Sequence, residues 1–389
     1  MPPKSSLPPE IVTGQVLLPV AWTEADPALD TDRNLQDWAK ALEASAGYFS
    51  RKKPDAAIQF GDYEVTALQM SRSIRKLAEM ARSASPQDFR TYLHENFRLF
   101  RSVGNDQQGN VLVTAYYEPL LHGSLQRTAR YKFPLYRLPE DLLRIDLSYW
   151  LPEMKGKKIT ARLADNTLKP YYDRAEIDLD NRLANKNLEL AWTDDLVDIF
   201  FLQIQGSGRI KMEDGALLRV GYHGANGHAY QSIGKILIDE GAISREKMSL
   251  PALRAWLRDN PGQQDRLLNA NPSYVFFRLL EDGPFGNIQV PLSPGRSIAT
   301  DHRLFPKGAP ALLKTTLPRF SDAKLDSEPI DWQPSFRFVV NQDTGGAIRG
   351  AGRVDLFLGF GTEAEQTAGV MKQSGSALYF IAPTNNPPQ

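Results

Sequence analysis

The chain contains no cysteine among its 389 residues. That excludes disulfides, thiolate chemistry, cysteine-based zinc sites and a lipidated cysteine from the sequence as it stands, without deciding the compartment. No apolar run reaches the length needed to span a bilayer. The stretch 11–22 is short, is broken by Gly14 and Pro19, and reads as a strand or loop. The start, Met1-Pro2-Pro3-Lys4, lacks a secretory signal pattern, which leaves a cytoplasmic protein or one whose leader was removed. An excess of either charge is also missing, since 46 Lys plus Arg face 46 Asp plus Glu. The balance gives no electrostatic reason to expect a nucleic-acid partner, and it suits a neutral substrate such as a sugar. Histidine is scarce, with five in all, and His223 and His228 have no HExxH or comparable spacing, so no metal site is expected. The glycines at 206/208 and 359/361 complete neither a dinucleotide fingerprint nor a P-loop, and no G-x-S-x-G elbow occurs.

What is present is the composition of a folded protein, 42% hydrophobic and 24% charged, in a chain long enough for two domains. The first hundred residues read helical. Leu35, Trp38, Ala39 and Leu42 recur at helical spacing, as do Ile74, Leu77, Ala78 and Ala81. Ser85-Pro86-Gln87-Asp88 opens a further helix, with Ser as N-cap, Pro at the first position and the stripe Phe89, Leu93, Phe97. From Val111 to Tyr117 the texture turns β-rich and ends at Glu118-Pro119.

A mixed segment follows to about residue 280. Within it, 199–204 reads as a strand, 229–240 as a helix stopped by Gly241, and Ser249 as the start of a helix carrying Leu253, Trp256 and Leu257. After Asp282-Gly283-Pro284 strands and turns return. Phe336, Phe338 and Val340 alternate with Arg337 and Val339 as a half-buried strand, Thr362 with Glu365 suggests a capping box, and 377–381 is a last strand before a frayed tail at 385–389. A β-rich layer thus stands on both sides of the middle segment. This predicts a barrel interrupted by an inserted domain, with a cleft between them.

The strongest local signal runs from Gln342 to Phe357. A strand enters the paired glycines Gly345 and Gly346, which permit a tight turn and close approach of a backbone or ligand, and an aspartate stands at each end of the glycine-rich stretch, Asp343 and Asp355. If 354–358 is a strand, Asp355 shares a face with Phe357, a setting that raises a carboxyl pKa in a concave site. Both aspartates also read as turn or cap residues. Asp301 is either a ligand-facing carboxylate or the partner of Arg303. Strand alternation would put Gln203 and Gln205 on one face before Gly206-Ser207-Gly208, as amides for sugar hydroxyls or as a solvated face. Thr114 and Tyr116 share a face in the same way.

Six motifs, in order, give these residues a context. They are Thr114-Ala115-Tyr116-Tyr117-Glu118-Pro119; 202–208; 226–235; 271–277; Ala299-Thr300-Asp301; and 342–348 followed by Asp355-Leu356-Phe357. Over residues 110–383 the chain resembles the lytic transglycosylase A family. The resemblance implies a mainly β fold with N-terminal helices. Its double-psi β-barrel would be built from 1–118 and 282–389, and a smaller β-rich substrate-binding domain, 119–281, would be inserted with a groove between the two. It implies Asp355 as the single catalytic acid/base, with Asp343 and Asp301 supporting. Thr114, Tyr116, Tyr117, Gln203, Gln205, Gly206 and Ser207 would bind substrate, and Thr114, Tyr117, Gln205 and Ser207 would line one groove facing the aspartates.

The implied reaction cleaves the β-1,4 bond between N-acetylmuramic acid and N-acetylglucosamine in peptidoglycan and leaves a 1,6-anhydro ring, with no cofactor and no metal. Ordinary glycoside hydrolysis uses two carboxylates. Here the sugar's own 6-hydroxyl would be the nucleophile, so one group can serve first as acid and then as base. The implied setting is a monomer in the periplasm, acting on glycan strands, with outer-membrane association and cell-wall synthesis complexes as further implied partners and no nucleic acid. Two other readings stay open. Asp343-Thr344-Gly345 spells the core motif of an aspartic protease, although no second such triplet occurs. The same barrel could also bind glycan without cutting it.

Overall fold

A computed structural model of the chain describes residues 15–25, 32, 34–322, 324 and 327–384. The start at Met1, the first part of the 11–22 stretch and the tail 385–389 lie outside the described residues. The rest of that stretch is a strand, Leu17–Val20, and a 3-10 turn, Trp22–Glu24. The chain divides into two compact units, one of residues 1–117 with 285–389 and one of residues 118–284.

The discontinuous unit joins helices to a barrel. Its N-terminal helices are Gln36–Ser50, Ala67–Ser83 and Pro86–Asn96. Ser85 caps the last of them by accepting from the Asp88 N–H at 3.2 Å, and Pro86 takes the first turn, as its sequence predicts. Phe97, expected at the end of that helix's stripe, instead begins the strand Phe97–Ser102. Eight strands form one sheet. Six of them close a ring in the order Val111–Glu118, Arg353–Phe360, Ser297–Ala299, Asp331–Asp343, Pro310–Arg319 and Lys372–Pro383, which pairs back to the first. Closure leaves these strands without a bare edge, and Val113, Ile298, Leu356 and Leu378 are buried in the core.

The strand expected to be half-buried is fully buried from Phe338 to Gln342. The helix Gln36–Ser50 covers it: Trp38 lies against Phe338 with ring centroids 4.6 Å apart and donates its indole N–H to the Val339 carbonyl at 3.1 Å. Likewise the helix Thr362–Val370 has Gly361, not Thr362, at its N-cap, so the expected capping box does not form.

The continuous unit holds a six-stranded sheet in the order Val275–Leu280, Leu217–Ala225, Ser207–Met212, Leu120–Ser124, Glu189–Thr193 and Phe133–Tyr136. A bridge between Arg137 and Phe277 joins its two outer strands. Segment 199–204, read from sequence as a strand, lies within the helix Leu196–Gln205. Asp195 accepts from the Val197 N–H at its start, and Gly206 adopts φ of 81° at its end. Because Val197, Ile199, Phe200, Phe201 and Leu202 are buried around it, the helix shows an apolar run with no polar side, which periodicity cannot distinguish from a strand. The helix expected over 229–240 begins only at Ile233, capped by Ser232. The helix Leu250–Asp259 starts after Ser249 as predicted.

Candidate active site

Strand register sets the distance between the two candidate carboxylates. Ala299 is the Cα partner of Asp343 on one side and of Asp355 on the other. Paired residues share a face, so both aspartates rise from the same side of the sheet with the short Ala299 side chain between them. Two strand spacings separate their backbones by about 10 Å. The next strand, Val111–Glu118, brings Thr114 and Tyr116 to the same place, two residues apart on one face as the sequence predicts.

Each of these side chains engages one aspartate. Thr114 donates its hydroxyl to Oδ1 of Asp355 at 2.7 Å, and Tyr116 donates to Oδ2 of Asp343 at 2.7 Å. Arg353 lies two residues before Asp355 on the same strand face and donates from Nη2 to Thr114 Oγ1 at 3.0 Å. That bond occupies a lone pair on the threonine oxygen and directs its single hydrogen toward Asp355. Phe357 continues the face, with its ring centroid 5.2 Å from that of Tyr116.

The carboxylates differ in surroundings. Burial pushes Asp355 up to about 6; the Thr114 hydrogen bond and the Arg353 charge oppose this, and the Asp343 charge adds to it. Burial also raises Asp343, against donors from Tyr116 and from the backbone of Thr344 and Asn287, the last at 3.0 Å. Tyr116 is held well above its ordinary value by burial and by Asp343, so it stays a donor.

Asp301 is a different kind of residue. It is fully buried. Arg303 grips it with Nε on Oδ1 at 2.9 Å and Nη2 on Oδ2 at 2.6 Å, and the Gly350 N–H donates to Oδ2 at 2.9 Å. Burial would raise its carboxyl, but these donors outweigh it and hold the group well below the usual range. Asp301 therefore anchors the loop between the two site aspartates. Asn105 anchors the same loop by accepting from the Gly352 N–H at 2.9 Å. The close approach that the sequence suggested for Gly345 and Gly346 falls at Gly350 and Gly352. A Cβ there would lie 2.6 Å from the Asn105 side chain and 2.7 Å from its backbone nitrogen, respectively.

Tyr117 is buried on the opposite strand face from Thr114 and Tyr116. Gln203 is buried in the helix that replaces the expected strand and accepts from Arg174, so the shared strand face of Gln203 and Gln205 does not exist. Gln205 and Gly206 end that helix, and Ser207 opens the next strand, paired with Gly221. Among the described residues no group of three or more His, Cys, Asp or Glu is placed to hold a metal ion.

Residues 112–278 match the family described as the MltA specific insert domain, and residues 296–381 match the 3D domain. The chain is 33% identical over 289 residues to membrane-bound lytic murein transglycosylase A of Vibrio cholerae, covering 74% of this chain and 69% of that protein. The chain belongs to the lytic murein transglycosylase A family. The Escherichia coli K12 protein of the same name is 35% identical over 270 residues, 68% of this chain and 64% of that protein. A crystal structure of a membrane-bound lytic murein transglycosylase from Agrobacterium tumefaciens superimposes with a TM-score of 0.78 at 29% identity, covering 94% of this chain and 97% of that one.

Within this lytic murein transglycosylase A chain, sequence reasoning missed Arg353 and Asn105. For Arg353 the signal was available, because period two puts it on the face of Asp355 and Phe357. Asn105 contributes through a loop contact that no local pattern encodes. Asn287 donates from its backbone, which places no demand on side-chain identity.

Proposed function

We propose that this protein cleaves peptidoglycan glycan strands as a lytic transglycosylase, with Asp355 acting first as acid and then as base. One observation carries the reading: of the three aspartates of the 3D-domain region, Asp355 is the one that combines a carboxyl raised to about 6 with a fixed donor on one oxygen, from Thr114. Thr114 occupies Oδ1, so the proton resides on Oδ2, the oxygen free to face a substrate. Protonated Asp355 gives that proton to the glycosidic oxygen as the C1–O bond breaks. The 6-hydroxyl of the same sugar then bonds to C1, and its proton passes to Asp355. The acid is restored, no water is consumed, and the product carries an anhydro ring. Asp343 accepts from donors only, the arrangement of a carboxylate rather than of an acid. Its charge raises Asp355 and favours the positive charge that develops on the sugar ring.

Family membership supports peptidoglycan as the substrate, since the relatives are described as lytic murein transglycosylases. Those relatives are also described as membrane-bound, which supports work at the cell envelope, in the periplasm. The aspartic protease reading loses its basis, because Asp343 and Asp355 stand two strands apart with Ala299 between them and each engages its own hydroxyl. Purified peptidoglycan, digested and weighed by mass spectrometry, tests the proposal. Muropeptides one water lighter than hydrolytic products support it. Free reducing ends would make the protein a hydrolase, and binding without release would make it a glycan-binding module.

A further inference from the structure

We propose that the three-stranded sheet within residues 143–170 docks on a phospholipid surface bearing anionic head groups. The inference is independent of the catalytic reading above. It starts from a sheet whose two faces are reversed relative to solvent. The strands Leu143–Asp146, Lys158–Ala164 and Thr167–Pro170 pair antiparallel. Their register puts Leu143, Ile145, Ile159, Leu163 and Leu168 on one face, and Arg144, Thr160, Arg162 and Lys169 on the other.

A half-buried sheet ordinarily turns its aliphatic face inward. Here much of the polar face is the packed one. Arg144 donates to the His223 carbonyl at 3.4 Å, the Arg162 guanidinium lies 4.2 Å from the centre of the Tyr172 ring, and Thr160 sits where a Cβ on Gly227 would approach within 2.5 Å. Around buried Ala161 the larger aliphatic side chains of the other face are left to solvent, with Leu163 63% and Leu168 52% exposed.

The connection between the first two strands extends this apolar surface. It carries Tyr149 and Trp150 in succession, 85% and 68% exposed, followed by exposed Leu151. Two 3-10 turns, Leu147–Tyr149 and Pro152–Met154, shape it. The Asp146 carboxylate accepts from the Ser148 N–H at 3.1 Å, and the Leu147 N–H reaches the Lys157 carbonyl at 3.0 Å. The aromatic pair is thus presented on a hydrogen-bonded loop.

Charge selects the occupant. Lys155 and Lys157 are exposed in the same connection. Within the connection these two lysines stand against one acid, Glu153, while Arg144, Lys158, Arg162 and Lys169 lie on the opposite sheet face. Pairing of two copies through this surface would bring like charges together, whereas anionic head groups complement them. Trp and Tyr have an apolar ring with a polar edge, which suits the head-group level of a bilayer, and the aliphatic face behind them suits the acyl boundary.

Flotation of the purified protein with phosphatidylcholine vesicles, with and without phosphatidylglycerol, tests the proposal. The expected result is binding to the phosphatidylglycerol vesicles, much weaker binding to phosphatidylcholine alone, and loss of roughly fivefold in affinity for each of Lys155→Gln and Lys157→Gln. The double variant Trp150→Ser, Leu163→Ser should abolish binding. Its melting temperature should stay native, because both side chains are exposed. Three results would overturn the proposal: no binding to either vesicle, full binding by the double variant, or a dimer at sedimentation equilibrium that the double variant dissolves. The vesicles contain no glycan, so failure here leaves the catalytic reading untouched.

Discussion

Thr114 joins Arg353 to Asp355 through a single hydroxyl, accepting from the guanidinium at 3.0 Å and donating to the carboxyl at 2.7 Å. The geometry makes Thr114 a positioning residue, which fixes both the rotamer of the acid and the oxygen that carries its proton. Its hydrogen bond also lowers the Asp355 carboxyl against the upward push of burial. Removing it should therefore raise that carboxyl further. Thr114→Val is expected to shift the basic limb of the kcat profile to higher pH and to reduce kcat about tenfold or more, while Thr114→Ser keeps both near native. A fall in rate with an unmoved pH profile in Thr114→Val would show that the hydroxyl acts in some other way.

The two part-exposed aspartates should respond unequally. Asp355→Asn can neither give nor take the proton, and loss of general acid/base action typically costs about 10²–10⁴-fold. Asp343→Asn removes a charge and keeps the side-chain shape, so it should cost less. With the like charge gone, Asp355 should titrate lower and the basic limb should move to lower pH. Initial rates on peptidoglycan across pH decide this. A dead Asp343→Asn beside an active Asp355→Asn would transfer the acid/base role to Asp343.

The same raised carboxyl predicts a cost in stability. An aspartate in an unfolded chain titrates near about 4, and in the fold Asp355 is pushed up to about 6. Between those values the native state holds a proton that the unfolded state has lost, so stability falls as pH rises through the window. The penalty is complete above about pH 6 and amounts to on the order of 2–3 kcal/mol. Asp355→Asn should then melt above the native protein at neutral pH and level with it below about pH 4. Equal melting curves at every pH would show that burial of this carboxyl carries no such cost.

Asp301 should behave in the opposite manner. Its two oxygens hold the Arg303 side chain and the Gly350 N–H. Asp301→Asn keeps at most part of that set and should destabilise the fold by about 1–3 kcal/mol. Because the native carboxyl sits well below the usual range, its stabilising effect is present at neutral pH and fades only in strong acid. Thermal melts from neutral to acid pH read the difference, and an unchanged melting temperature at neutral pH would remove the anchoring role.

How legible the protein is in its sequence depends on the kind of signal. Thr114 and Tyr116 were readable as face-sharing residues because period two is a property of the strand itself. The Ser85-Pro86 helix start was readable because capping is local. The helix Leu196–Gln205 was not, because burial on all sides erased its periodicity, although Asp195 and Gly206 marked its ends. The burial of Val339 and the anchoring of the loop by Asn105 depend on contacts far apart in the chain, Trp38 with Val339 and Asn105 with Gly352, which no local pattern carries. Asp355 was visible as an aspartate beside an aromatic, but its raised pKa depends on strands brought together from three parts of the chain.

Digestion of peptidoglycan in water enriched in heavy oxygen tests the central claim most directly. If Asp355 takes the proton of the sugar's own 6-hydroxyl, the new bond at C1 is made with substrate oxygen. Every released muramoyl end should then be an anhydro ring, one water lighter than a reducing end and free of the solvent label. Reducing ends that carry the heavy oxygen would show that water attacks C1 and would contradict the single-carboxyl account.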